Sequence, residues 1–326
     1  MKNLFSFLIA FTLINPAMGQ KKQVHPPLGK LVDVGNFKMH IYTTGQGKTP
    51  VVLLPGSGHF SLHWSLVQRQ VEKFAQVSSL DYAGSGWSEY GPLPQTLRQT
   101  VHNLHALLHK SQIKTPYVLV GQSLGGLLAR KYAETYSKEV AGIVLVDATV
   151  PDMLMLTYKT KTWEHWRKRA KKRSVPAVKT TLDAPIALKT LAKGLNRDLG
   201  DLSIFSKKVQ TLFHWFNTKP FSYPAKSGGY YLPEELQELY QNRLNYPLGD
   251  IPLKILAAKK ISQYDKTSMT NEQRMTHKRQ TQKELLRLSR KSNLQWIDSG
   301  HHIHIDKPED QLKKGLIKIS TKEICT

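Results

Sequence analysis

The feature that most constrains this chain is the stretch Tyr117-Val118-Leu119-Val120-Gly121-Gln122-Ser123-Leu124-Gly125-Gly126. An apolar, β-branched run ends in Gly-x-Ser-x-Gly, and Leu127, Leu128, Tyr132 and Tyr136 then recur at helical spacing. Strand, sharp turn and helix follow with no linker, which sets the serine at the tip of a strained turn with its hydroxyl above the strand ends. Gly121 and Gly125 fit because a Cβ at either would keep strand and helix apart, and Gly126 extends that room. A serine so placed acts as a nucleophile only if the rest of the chain supplies a base, an acid and amide donors.

The surroundings read as alternating strands and helices. Residues 31–34 and 37–42 alternate apolar and polar side chains around Gly35-Asn36, as a hairpin does. Further strands are expected at 51–54, 77–82, 141–147, 253–258 and 294–298. Those at 51–54 and 141–147 have the unbroken apolar character of strands covered on both faces. Between them, Trp64, Val67, Val71 and Phe74 mark one helix, and Leu97, Val101, Leu104 and Leu108 mark another over 96–110. A last helix is expected with Pro308 in its first turn and Leu312, Leu316 and Ile319 on one face. This order predicts an α/β fold with a mostly parallel central sheet flanked by helices. The alternation lapses over 149–249, which is rich in aromatic residues and reads as an inserted helical cap. The core then comprises 20–148 and 250–326.

The amino terminus has a charged start, Met1-Lys2-Asn3, an apolar run over 4–14, and Ala17-Met18-Gly19. That is the pattern of an export signal cleaved after Gly19, and the run is too short to span a bilayer. The single cysteine, Cys325, leaves no intrachain disulfide. Export without one suits a bacterial periplasmic or secreted protein. The formal net charge of +23 should draw the surface to polyanions. Its densest stretch, 159–173, is interleaved with Trp163 and Trp166. It reads either as a solvated helix face or as an interfacial helix on an anionic membrane or envelope surface. With no zinc-finger or RRM signature, nucleic acid ranks last among partners.

In order along the chain, Pro55-Gly56-Ser57-Gly58, Asp81-Tyr82-Ala83-Gly84-Ser85-Gly86-Trp87-Ser88, Gly121–Gly126, Leu145-Val146-Asp147-Ala148 and Gly300-His301 resemble the landmarks of the α/β-hydrolase fold superfamily, in its serine-nucleophile, capped branch. The resemblance covers the chain apart from the cap. It implies Ser123 as nucleophile and His301, which follows a glycine and precedes Pro308, as base. It offers two acids. Asp147 closes the strand before the cap and is favoured. Asp265 follows the penultimate strand, but later than is usual in the family, where Lys259-Lys260 stands here. The oxyanion donors implied are the amides of Leu124 and Ser57, with Gly56 the alternative to Ser57. Pro55 replaces a histidine common at that place. Gly56, Gln122, His59 and Trp64 are expected to shape the substrate pocket.

What the resemblance implies is a serine hydrolase cleaving carboxylic esters through an acyl-enzyme, with no cofactor and no metal. The aromatic cap points to a small-molecule ester with an apolar acyl or aryl group. Amide, lactone, thioester and carbon–carbon bond hydrolysis stay open, because fold and triad do not fix the leaving group. A silent binding protein and a basic surface-binding protein stand as alternatives from other classes. His302 and His304 read as packing or surface residues. His102, His105 and His109 beside one apolar stripe read as a helix flank rather than a metal site.

Overall fold

Eight strands pair into one sheet: β1 (Lys30–Asp33), β2 (Lys38–Thr44), β3 (Val51–Leu54), β4 (Val77–Leu80), β5 (Tyr117–Gln122), β6 (Val140–Val146), β7 (Leu253–Ala258) and β8 (Ser292–Ile297). The computed structural model describes residues 25–92, 95–151, 201–216, 232–261 and 270–308. Among these residues the helices are α1 (Ser65–Val71), α2 (Leu97–Lys110), α3 (Leu124–Thr135), α4 (Lys207–Phe216), α5 (Leu232–Asn242), α6 (Asn271–Glu284) and the short α7 (Ile303–Asp306). The spatial order is β1-β2-β4-β3-β5-β6-β7-β8. β1 and β2 form the expected antiparallel hairpin, β2 lies antiparallel to β4, and every later pairing is parallel.

Strand side chains alternate between two layers, as the two-residue period requires. Val52, Leu54, Leu119, Ile143 and Leu145 face α2 and α3, whose Leu104, Leu108, Leu127 and Tyr132 fill that side. Val51, Leu53, Val118, Val120, Val144 and Val146 face the other way, onto Val67 and Val71 of α1. Covering both faces is what makes these strands apolar throughout.

The ends of α2 and the placement of the later helices are set by polar contacts. Thr96 caps α2 by accepting the amide of Gln99 at 3.0 Å. Glu235 of α5 accepts the amides of Leu97 and Arg98 at 2.7 and 2.8 Å, a carboxylate at the positive end of a helix. Leu236 and Leu239 of α5 join the layer formed with α2 and α3. α4 packs Val209, Leu212, Phe213 and Phe216 against Phe60, Leu62 and Ile305. Residues 1–24, most of 152–231 including the basic stretch, Asp265 and the helix expected after Pro308 lie outside the described residues.

Candidate active site

Ser123 stands between the last residue of β5 and the first of α3, with φ +51° and ψ −117°. That backbone is strained for a residue with a side chain and persists only where its surroundings enforce it. Here the Ser123 amide donates to the Val146 carbonyl at 3.2 Å, and its carbonyl accepts the amide of Gly126 at 3.0 Å. A Cβ on Gly121 would run into the carbonyl of Gly125, and one on Gly125 into that of Leu54. The glycines are thus required by close approach, as their spacing suggested.

Asp147 follows β6 directly and is 5% exposed. Its amide donates to the Leu256 carbonyl at 2.7 Å, locking it between neighbouring strands. Across 154 residues of chain, His301 Nδ1 donates to Asp147 Oδ2 at 2.7 Å. The loop carrying His301 is held by Asp306, whose Oδ2 accepts the Ser299 hydroxyl at 2.7 Å and the Gly300 amide at 3.1 Å. Of the two acids offered by the sequence, it is Asp147 that meets the imidazole; Asp265 lies outside the described residues.

A partner that sequence reasoning missed completes the carboxylate's surroundings. Lys278 of α6 brings Nζ to 2.9 Å from Asp147 Oδ1 and 3.0 Å from Oδ2. The Ala258 amide also donates to Oδ1 at 2.9 Å. Burial pushes the Asp147 carboxyl up, but the His301 hydrogen bond, the Lys278 charge and the Ala258 amide together hold it below its ordinary value. One turn further along α6, Gln282 donates to the Ala148 carbonyl at 3.1 Å. The inward face of α6 is therefore polar: Lys278, Thr281 and Gln282 are all buried.

The Ser123 hydroxyl pairs with Thr149 Oγ1 at 3.2 Å, and the Thr149 amide donates to the Ser123 carbonyl at 3.1 Å. Among the described residues no hydrogen bond joins Ser123 Oγ to His301. The two segments are linked instead through Gln122, which is buried and donates from Nε2 to the His301 carbonyl at 3.4 Å. Leu124 opens α3, so its amide has no carbonyl one turn back to bond. Gly56 is buried and packed on the elbow: a Cβ there would lie 3.2 Å from Ser123 Cβ and would collide with the Gln122 side chain. Ser57 beside it is exposed.

Trp64 does not edge a substrate entrance. It is fully buried, packed with Val51, Leu53 and Val67, and its ring lies 4.5 Å from that of His304. The 3-10 turn Ser61–Trp64 leads straight into α1, and the apolar indole takes the inward side. His59 is buried too, stacked on His63 at 4.0 Å and 5.0 Å from His302, so it packs rather than lines an opening. Burial, and then the neighbouring imidazoles, drive His59 and His304 well below the ordinary histidine value. Burial likewise lowers His63 to about 3. The acid of the second landmark is structural. Asp81 binds His40 Nδ1 at 2.9 Å and accepts the amides of Ser61 at 2.7 Å and Trp87 at 2.8 Å, tying β2 to the two loops beside the site.

Residues 51–313 match the model of the alpha/beta hydrolase family. YbdG, an uncharacterized protein of Bacillus subtilis, is 31% identical over 133 residues, covering 40% of this chain and 41% of that protein. The pimeloyl-[acyl-carrier protein] methyl ester esterase of Chromobacterium violaceum is 33% identical over 150 residues, covering 45% of this chain and 52% of the esterase. The chain thus spans about half, or less, of these relatives' length. A solved esterase from Thermogutta terrifontis superposes with a TM-score of 0.58 at 19% identity, over 87% of this chain and 95% of that one. At that identity the likeness is one of fold.

Proposed function

Because this chain belongs to the alpha/beta hydrolase family, we propose that it is an exported serine hydrolase that cleaves carboxylic esters, with Ser123 as nucleophile, His301 as base and Asp147 as the acid that orients it. The observation that carries this reading is the 2.7 Å bond between His301 Nδ1 and Asp147 Oδ2. It commits Nδ1 to the carboxylate, which leaves Nε2 to take a proton, and it stabilises the imidazolium that results.

In the first half-reaction Ser123 Oγ attacks the ester carbonyl while its proton passes to His301 Nε2. The imidazolium then returns that proton to the departing alkoxide, leaving an acyl-serine. In the second half, water gives a proton to the same nitrogen and adds to the acyl carbon; the imidazolium then passes that proton to the departing Ser123 oxygen, which releases the carboxylic acid and restores both residues. To begin, the hydroxyl exchanges its bond to Thr149 for one to the imidazole; such contacts often tighten only on substrate binding. The developing oxyanion would be held by the Leu124 amide and by an amide of the Gly56-Ser57 loop, each worth about 3 kcal/mol of barrier.

The esterase named for the C. violaceum relative agrees with this chemistry over the matched half of that protein. The preference for an apolar acyl or aryl group rests on the aromatic residues of 149–249, and export rests on the pattern of residues 1–19. Attraction to an anionic membrane or envelope surface rests on the charge of +23. The test is turnover of p-nitrophenyl esters of graded acyl length together with labelling by a fluorophosphonate probe. Wild type should turn over and take the label, and Ser123→Ala should do neither. An unlabelled wild type, or a labelled Ser123→Ala, would remove the nucleophile assignment.

A further inference from the structure

His105 and His109 lie one turn apart on α2 and project from the same side of the helix. Glu139 ends the 3-10 turn Ser137–Glu139 that leads into β6. Its Oε1 lies 3.2 Å from His105 Nε2 and 2.9 Å from His109 Nε2. All three ligand atoms fall within 4.8 Å of one another. Donors around one tetrahedral zinc ion stand roughly 3.3 Å apart. Both imidazoles therefore already turn the same nitrogen toward one carboxylate oxygen at close to the spacing an ion requires.

The three side chains are also held in place. The Tyr132 hydroxyl donates to Glu139 Oε2 at 2.7 Å, occupying the oxygen that does not face the histidines. The His105 ring stacks on Tyr136 at 4.0 Å and 14°. Outer contacts of this kind orient ligands and raise affinity for the ion. Side-chain exposures of 27%, 48% and 19% leave one side of the cluster open to solvent. His109 sits in the last turn of α2, where the helix dipole favours positive charge. Two imidazoles with one carboxylate suit zinc and its transition-metal neighbours rather than calcium or magnesium. Reading these histidines as a mere helix flank left out Glu139, which arrives from 30 residues away.

We propose that His105, His109 and Glu139 bind a divalent transition-metal ion that staples α2 to the α3–β6 connection. Glu139 immediately precedes β6 and Asp147 immediately follows it. A strand of that length spans about 23 Å, so the ion would act on the stability of the fold and not on ester chemistry.

The test is titration of the full chain with ZnCl2 in competition with a chromophoric zinc indicator, paired with thermal unfolding. The expected result is one ion per chain with micromolar or tighter affinity and a raised Tm. His105→Ala, His109→Ala and Glu139→Gln should each weaken binding at least tenfold and abolish the Tm shift, while His102→Ala should not. Co2+ in place of Zn2+ should give visible bands that disappear in His109→Ala, a variant at an exposed position. Binding undiminished by His105→Ala and His109→Ala would overturn the proposal and shift attention to the buried histidines around His304. Absence of binding at about 100-micromolar free zinc, where a micromolar site would be saturated and would add about 2.7 kcal/mol of stability, would also overturn the proposal and reduce the cluster to hydrogen bonds between two imidazoles and a glutamate.

Discussion

Lys278 and His301 share one carboxylate: the ammonium straddles it, 2.9 Å from Asp147 Oδ1 and 3.0 Å from Oδ2, and the imidazole lies 2.7 Å from Oδ2. A positive charge at that distance lowers the Asp147 pKa and also shares the negative charge that would otherwise be spent on the imidazolium. Lys278→Met should therefore have two effects. It removes one partner of a buried ion pair, which costs about 3 kcal/mol of stability, measurable by urea unfolding at neutral pH. It also leaves His301 as the carboxylate's one charged partner beside the Ala258 amide, so the acidic limb of kcat/KM should move to higher pH. A limb that stays in place would show that Lys278 serves the fold only.

Asp147→Asn keeps the size of the side chain and removes its charge. It should lower kcat by about 10⁴-fold, the loss typical when the orienting acid of such a triad becomes an amide. Asp265→Asn should leave kcat within a few-fold. Steady-state rates on one p-nitrophenyl ester measure both, and the reverse pattern would transfer the acid role to Asp265.

Thr149→Val removes the hydroxyl that pairs with Ser123 Oγ at 3.2 Å while keeping the shape of the side chain. A neutral hydrogen bond contributes about 1 kcal/mol. Freed of it, the serine reaches the imidazole more readily, and kcat/KM should rise by up to about fivefold. A fall of tenfold or more would instead make the Thr149 hydroxyl part of the reacting site.

These predictions separate what the sequence made visible from what it hid. The elbow was legible because sterics leave few options: a strand ending on Gly121, a serine, and Gly125 where the Leu54 carbonyl comes close. Asp147 was legible as a charge closing an apolar strand. Lys278 was not, because α6 buries polar side chains, and periodicity arguments search for apolar stripes. Glu235 was hidden for another reason: it caps α2 from 138 residues away, a pairing that no local pattern carries. Trp64 was misplaced because an aromatic residue after a functional loop looks the same in sequence whether it faces the substrate or the sheet. Its place in the core follows from the way α1 covers Val51 and Leu53, contacts that no local pattern carries.

The buried histidines make the fold sensitive to mild acid. His59, His63 and His304 are kept neutral by burial, with His63 lowered to about 3 and the others well below 6.5. In the unfolded chain each protonates near its ordinary value of 6.5. Below that pH the unfolded state binds the extra protons, so stability is fully present above 6.5 and falls as pH drops toward the folded values. Each histidine contributes a slope of about 1.4 kcal/mol per pH unit, and three acting together give about 4. Asp147 and Asp81 act in the same direction but lower down. Their pKa values are depressed on folding, so what they contribute is present above about 3.8 and lost only as pH falls through the folded values. Guanidinium unfolding at pH 8, 6.5, 6 and 5 should show a flat region followed by the steep decline. His304 gives the sharper check, since neither ring nitrogen has a hydrogen-bond partner among the described residues and the ring packs on Trp64. His304→Leu gives up no hydrogen bond, so it should cost little at pH 8 and should reduce the acid slope by about 1.4 kcal/mol per pH unit. An unchanged slope would mean that His304 takes up its proton without unfolding.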